Sequence, residues 1–384
     1  MIETRFKDTE IGRIPEDWEA KALGDVLSVG NGKDYKHLPF GNIPVYGTGG
    51  YMTSVSDYLH DGETVCIGRK GTIDEPQYHT GKIWTVDTLF YTYGFQNVCV
   101  KYLFYLFNRI DWKKYNEATG VPSLTSKNIL AIIAQFPILS EQTRIATALS
   151  KVDSLISELG RLIDKKRAIK QGAMQQLLTG KKRLKGFSEP WVEKKLGEIL
   201  SLKNGFAFKS ETYCAIGKYK IITIANVQNG RFDLTDYNSV TDIPASIQQH
   251  QKLSIGDILI SMTGNVGRVC RVDSSNCLLN QRVGLLEIRP NVNSDFVFTA
   301  LNTNAFENAM RDKGQGAAQA NISKSDIEDY VLLMPSSLLE QQAIASVLTS
   351  MDNELSALEA KRKKYEQIKQ GMMQQLLTGR INLN

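Results

Sequence analysis

Much of what this 384-residue chain lacks bears on its chemistry. No apolar run approaches the roughly 20 residues that cross a bilayer, and the opening MIETRFKDTE is too charged for a secretory signal. A cytoplasmic protein with no membrane partner is expected. Cys66, Cys99, Cys214, Cys270 and Cys277 are odd in number and form no CxxC, so they read as reduced thiols. The four histidines, His37, His60, His79 and His250, have no metal-ligand spacing, and no metal is expected. Each Gly-Lys pair, ending at Lys33, Lys82, Lys181 and Lys218, is followed by Asp, Ile, Lys or Tyr. The Gly-x-x-x-x-Gly-Lys-Ser/Thr loop of a translocating ATPase is therefore missing. So is any Asn-Pro-Pro-Tyr or Asp-Pro-Pro-Tyr tetrapeptide of the kind a methyltransferase needs. No cofactor is expected, and no catalysis from this chain alone.

What is present is a duplication. Residues 141–180 and 340–379 align without a gap at a spacing of 199, and eleven of the last twelve positions are identical. Upstream, Trp18, Lys21, Leu23, Gly24, Ser28, Asn31 and Gly32 recur as Trp191, Lys194, Leu196, Gly197, Ser201, Asn204 and Gly205, now 173 apart. Each half thus opens with W-x-x-K-x-L-G, diverges, and closes on the repeated forty; the second divergent stretch is 26 residues longer. A kept frame around varied contents marks a scaffold with two different binding surfaces.

The repeated segments predict long helices. Ile145, Leu149, Val152, Ile156, Leu159 and Ile163 alternate spacings of four and three, as do Ile344, Leu348, Met351, Leu355 and Leu358, followed by Arg362 and Tyr365. Pro137 and Pro335 precede the helices, and Gly180 and Gly379 are natural stops. At about 1.5 Å per residue each rod runs roughly 60 Å. One apolar stripe needs a partner: the other copy within the chain, or alternatively a helix of a second molecule. Intramolecular pairing around a pseudo-twofold axis makes the rods antiparallel. The two sites would then lie a few tens of ångströms apart, comparable to the roughly 34 Å of one B-DNA turn.

The divergent stretches predict small mixed domains. Strands are expected at 64–67, 83–86, 220–224, 257–262 and 283–288, with helices at 100–108 and 296–311. Strands first and helices later indicate α+β. IGRKGTI (67–73) matches ISMTGNV (260–266), and SLTSKNI (123–129) matches NISKSDI (321–327). The loops YGTGGY (46–51) and KGQGAAQ (313–319) are plain turns or phosphate cradles.

This arrangement resembles the specificity subunit of type I restriction-modification systems. The residues that carry the likeness are TEIGRIPEDW (9–18), the joint LLTGKKRLKGF (177–187) before Trp191, the helix starts Pro137-Ile-Leu-Ser-Glu141-Gln142 and Pro335-Ser-Ser-Leu-Leu-Glu340-Gln341, and the twin QQLLTG endings. It covers nearly the whole chain. The resemblance implies an α+β chain with two target-recognition domains separated by two long antiparallel coiled-coil helices. The segments would be a first recognition domain at 1–138, a central helix and joint at 139–184, a second recognition domain at 185–336 and a C-terminal helix at 337–384. Each domain would read half of a bipartite, asymmetric double-stranded DNA site, with the helices as a ruler. Two methyltransferase subunits and, in the full complex, restriction (motor-nuclease) subunits would dock on it, and the complex would methylate adenine at N6. The target sequence does not carry over.

Phosphate affinity comes from Lys and Arg, and specificity from side chains that reach base edges. In the first domain the candidates are Lys33, Tyr35, Lys36 and His37 after the shared Asn-Gly, with Arg69 and Lys70 at the turn tip. In the second they are Lys209, Asn265, Arg268, Gln281 and Arg282. Residues 161–185 hold nine Lys or Arg against one acid, Asp164, whereas the whole chain carries a net +5. Lys165, Lys166, Arg167, Lys361, Lys363 and Lys364 would lie near spacer phosphates, face a partner subunit, or simply be exposed helix positions. Two other classes remain: a stand-alone bipartite DNA-binding protein, and a coiled-coil tether with no salt-sensitive affinity for duplex DNA.

Overall fold

The structure is a computed structural model that describes residues 5–314, 320–381 and 383. Five residues of the KGQGAAQ loop, 315–319, lie outside the described residues.

The W-x-x-K-x-L-G repeat forms a strand that runs into one helical turn. Glu19–Ala22 pairs antiparallel with Ile133–Phe136, and Trp191–Lys195 pairs antiparallel with Val331–Pro335. The strand that opens each half therefore closes on the strand leading into that half's long helix. The turns after it start at Leu23 and Leu196, both fully buried. An acidic side chain caps each: Asp25 accepts from Ala22 N at 3.1 Å, and Glu198 from Lys195 N at 3.0 Å.

Between these frame strands the described residues of each domain form two larger sheets, and their topology repeats. One antiparallel sheet has the order Ser28–Asn31, Leu89–Tyr93, Thr64–Gly68, Gln77–His79. Its counterpart has the order Leu200–Asn204, Val283–Ile288, Ile258–Ser261, Val269–Arg271. In the other sheet a central strand takes one antiparallel and one parallel neighbour. Phe40–Gly47 lies between Gly50–Val55 and Trp84–Thr85, as Tyr219–Ile222 lies between Asn238–Val240 and Cys277–Leu279. The second domain adds Lys252–Leu253 as a fourth strand. It also replaces the two-residue turn after Gly47 by residues 223–237, which include the hairpin Val227–Gln228 with Arg231–Phe232.

The shared Asn-Gly fixes how the two sheets cross. A Cβ on Gly32 would sit 1.9 Å from Val86 O, and one on Gly205 would sit 2.1 Å from Asn280 O. Only glycine lets the backbones approach this closely. The following amides bond across the gap in the same way: Lys33 N donates to Thr85 O at 2.8 Å, and Phe206 N to Leu279 O at 2.7 Å.

The repeated forty residues form helices Leu139–Leu177 and Leu338–Leu376. Each glutamine of the Glu-Gln starts is a clamp. Gln142 Nε2 donates to Pro137 O (2.8 Å) and its Oε1 accepts from Cys99 N (2.9 Å); Gln341 does the same with Pro335 O (2.9 Å) and Asn293 N (2.9 Å). Packing divides the chain into two units, Met1–Leu162 with Leu358–Asn384, and Ile163–Ala357. In the first unit Ile145, Ala146 and Leu149 enter the domain core together with Leu376 at the end of the second helix and Leu377 just after it. In the second unit Ile344, Ala345 and Leu348 enter with Leu177 of the first. The helices run antiparallel within each unit: Asp153 pairs with Lys369 (2.7 Å) in one, Lys166 with Glu354 (2.7 Å) and Lys170 with Asp352 in the other. Ion pairs thus join the two long helices within the chain.

One expected helix is broken. Residues 296–311 form parts of two helices, Ser294–Leu301 and Asn304–Lys313, because Thr303 turns extended and its hydroxyl caps Phe306 N at 3.3 Å. The Ser/Thr caps expected at 123–129 and 321–327 are formed by Thr125 and Ser323.

Candidate nucleic-acid interface

The two matched turn motifs build the same platform in each domain. In the first, Arg69 N donates to Thr88 O (2.7 Å), Leu124 N to Arg69 O (2.9 Å) and Gly71 N to Pro122 O (2.9 Å). In the second, Met262 N donates to Arg282 O (3.1 Å), Ile322 N to Met262 O (3.0 Å) and Gly264 N to Ala320 O (2.8 Å). Three segments therefore meet at each platform: the glycine turn, the turn before the sheet's second strand, and the segment before the short capped helix. The middle turns also close alike, with Leu89 N donating to Val86 O and Val283 N to Asn280 O, both at 2.9 Å. This makes Asp87 and Thr88 the counterparts of Gln281 and Arg282, and Arg69 and Lys70 the counterparts of Met262 and Thr263.

The structure brings Arg69 and Lys70 together on the first platform, and Asn265, Gln281 and Arg282 together on the second. Lys70, Asn265, Gln281 and Arg282 are exposed. Arg69 is half-buried; its guanidinium donates to Asp87 O (3.4 Å) and lies 6.0 Å from the Phe90 ring. The YGTGGY loop joins the first platform, since Thr48 borders Gly71. Gln77 Nε2 holds that loop through Gly47 O (2.9 Å) and Thr48 O (3.2 Å). Beneath it His79 stacks on Tyr46 at 3.8 Å, and burial lowers the imidazole to about 4, so this support stays uncharged at neutral pH.

The basic, aromatic loop 33–37 sits on the smaller sheet. Trp84 Nε1 donates to Lys33 O (2.8 Å), His37 meets Trp84 edge-on at 6.0 Å, and Tyr35 packs against a cluster of Val45, Val55, Trp84 and Val86. Lys33, Lys36 and His37 are exposed.

Some of the other candidates have charged neighbours. Arg268 pairs with Glu307 (3.5 Å) and donates to Gln228 Oε1 (2.8 Å), which ties the glycine turn to the inserted hairpin and a helix. Lys209 pairs with Glu211 (3.8 Å). On the long helices Lys166 is spent on Glu354 and Arg167 lies 3.6 Å from Asp164, while Lys165, Lys361, Lys363 and Lys364 are exposed. Burial pushes the Cys66 and Cys270 thiols up to about 12, which fits inert core cysteines.

Sequence reasoning missed Asp87, Thr88, Met262 and Thr263. For Met262 and Thr263 the signal was the match of 67–73 with 260–266. For Asp87 and Thr88 no sequence signal exists, because the flanking Val86 and Asn280 are unlike and only their hydrogen bonds agree.

Comparison with known proteins supplies an independent line. The family described as "Type I restriction modification DNA specificity domain" matches residues 15–169 and 188–370. The type I restriction enzyme MjaVIII specificity subunit of Methanocaldococcus jannaschii is 27% identical, covering 100% of this chain and 98% of its own. The EcoKI specificity subunit of Escherichia coli is 25% identical over 50% of this chain and 43% of its own. Among solved structures, the type I restriction-modification S subunit from M. genitalium superposes with a TM-score of 0.65 at 15% identity, covering 98% of this chain and 99% of that one. A chain from a study of assembly of the type I system has a TM-score of 0.53 at 15% identity, covering 96% and 99%.

Proposed function

We propose, for a chain that belongs to the type I restriction modification DNA specificity family, that each globular half reads one half of a bipartite duplex site through its three-segment platform. The observation that carries this reading is the platform's repetition: one backbone scaffold, with different side chains at the tips. A protein that must recognise two unlike half-sites needs that combination. Base-edge readout falls to the platform tips Arg69, Lys70, Asn265, Gln281 and Arg282. Phosphate contacts fall to Lys33 and Lys36 with Tyr35 and His37, and to the exposed helix residues Lys165, Lys361, Lys363 and Lys364. Arg268, held by Glu307 and Gln228, shapes its loop, and Lys209, exposed beside Glu211, joins the phosphate contacts.

The chain itself performs no catalysis in this scheme. Its partners are two methyltransferase subunits, one for each copy of the repeated frame, and restriction subunits in the full complex. The length of the paired helices sets the gap between half-sites.

The test is modified-base sequencing of the host genome with and without this gene, scoring N6-methyladenine. Loss of methylation at one split motif with a fixed gap is expected. An unchanged pattern in a host whose system is expressed would refute the assignment. Inserting two heptads into the first helix, matched in the second, should lengthen the gap and leave both half-sites as they were; altered half-sites would refute the ruler.

A further inference from the structure

We propose that the paired turns 87–88 and 281–282 are specificity-determining positions, with Gln281 and Arg282 reading adjacent purines, an adenine and a guanine, and Asp87 accepting from a cytosine amino group in the other half-site. The inference rests on the DNA-reading conclusion above and adds which residues discriminate and for what bases.

Backbone and side chains contrast at this turn. The backbone of the second turn is pinned at three places: Gln281 N donates to Phe206 O (3.0 Å), Arg282 N to Asn280 Oδ1 (3.2 Å), and Arg282 O accepts from Met262 N (3.1 Å). The side chains of Gln281 and Arg282 are exposed and make no hydrogen bond or ion pair with any described residue. Arg268, seven residues beyond Ser261 on the neighbouring turn, shows the alternative, its guanidinium committed to Glu307 and Gln228. A fixed base with uncommitted bidentate donors and acceptors is what readout requires, because the ordering cost is met by the fold before binding. Gln presents a donor and an acceptor that match adenine N7 and N6, Arg matches guanine O6 and N7, and a carboxylate accepts from cytosine N4. At the counterpart turn Asp87 is exposed and Thr88 O is pinned by Arg69 N. The same scaffold thus offers opposite hydrogen-bonding chemistry in the two halves.

The experiment exchanges the turns in the intact system. The double variant Gln281→Asp with Arg282→Thr, and separately Asp87→Gln, are expressed with the partner subunits, and methylated motifs are mapped. Each should relax or change one or two adjacent positions, with discrimination there falling about ten-fold or more. The two variants should strike opposite half-sites and leave the gap intact. Unchanged motifs at wild-type methylation would overturn the proposal. If a variant abolishes methylation, the purified complex is compared on the wild-type motif and on a random duplex. Loss confined to the motif supports base reading, whereas equal loss on both overturns it in favour of a phosphate or folding role. Absence of any split motif in the wild type would instead defeat the underlying DNA-reading conclusion.

Discussion

Glu141 and Glu340 hold the same place at the starts of the two long helices, and both are almost wholly buried at 2% and 0% exposure. Their surroundings differ. Glu340 receives a bidentate Arg183 guanidinium, Nε at 2.6 Å and Nη2 at 2.7 Å, with Trp191 Nε1 at 3.4 Å. Burial raises the Glu141 carboxyl from its ordinary value and the Asp17 charge adds to this, while the Trp18 indole, its hydrogen-bond donor, and Arg144 oppose it. One junction is locked by a buried ion pair. The other carries a carboxyl that its own burial discourages from ionising. A duplicated frame can therefore keep its geometry while its two copies diverge in what their polar groups contribute.

The largest expected effect sharpens the packing side of this comparison. Trp18 is 1% exposed inside the first core, whereas Trp191 is half-buried beneath Gly180. Trp18→Ala should cost about 4 kcal/mol of unfolding free energy by denaturant titration, and Trp191→Ala roughly half of that. Equal losses would show that the two junctions are packed alike. Next come the crossing glycines, where the two domains should behave the same way. Gly32→Ala and Gly205→Ala each force a methyl into a carbonyl and should cost roughly 2–3 kcal/mol, read as faster amide exchange confined to the mutated domain. A neutral result at either would mean that the sheets can slide apart there.

Arg183→Ala tests the lock directly. It leaves Glu340 buried without its cation, and the thermal midpoint of the second unit should fall by about 5 °C. Arg183→Lys should recover only part of this, because an ammonium cannot form the two-pronged contact. Full recovery would show that charge alone matters.

These contrasts also mark how much was legible in the sequence. The frame was readable because the alternation of threes and fours from Ile145 to Ile163, the prolines before each helix and the recurring W-x-x-K-x-L-G are local signals. The sheet order was not. The parallel pairing of Val45 with Trp84, and of Ile221 with Leu278, joins strands far apart in the sequence that share no local motif. Among the site residues, the matched glycine turns located Arg69 and Lys70 at a platform. Nothing local showed that Arg268 is paired with Glu307, or that Arg183 reaches Glu340, because ion pairs between distant segments leave no periodic trace. The break at Thr303 was readable in principle from its cap, yet the apolar spacing across it masked the signal.

The smallest effect concerns Glu141 and depends on pH. Its carboxyl is raised in the folded chain, so the unfolded chain ionises at lower pH than the folded one. Stability from this group is complete below the unfolded value and is lost as pH rises through the higher folded value. Glu141→Gln removes the ionisation and keeps the shape. The amide variant should therefore match wild type near about pH 4 and gain on it steadily as pH rises, levelling off once the folded carboxyl has ionised. Glu340→Gln should show the opposite sign at neutral pH, since it discards the partner of Arg183. If Glu141→Gln tracked wild type in parallel across the whole range, burial would not be governing this carboxyl, and the two helix starts would be electrostatically equivalent after all.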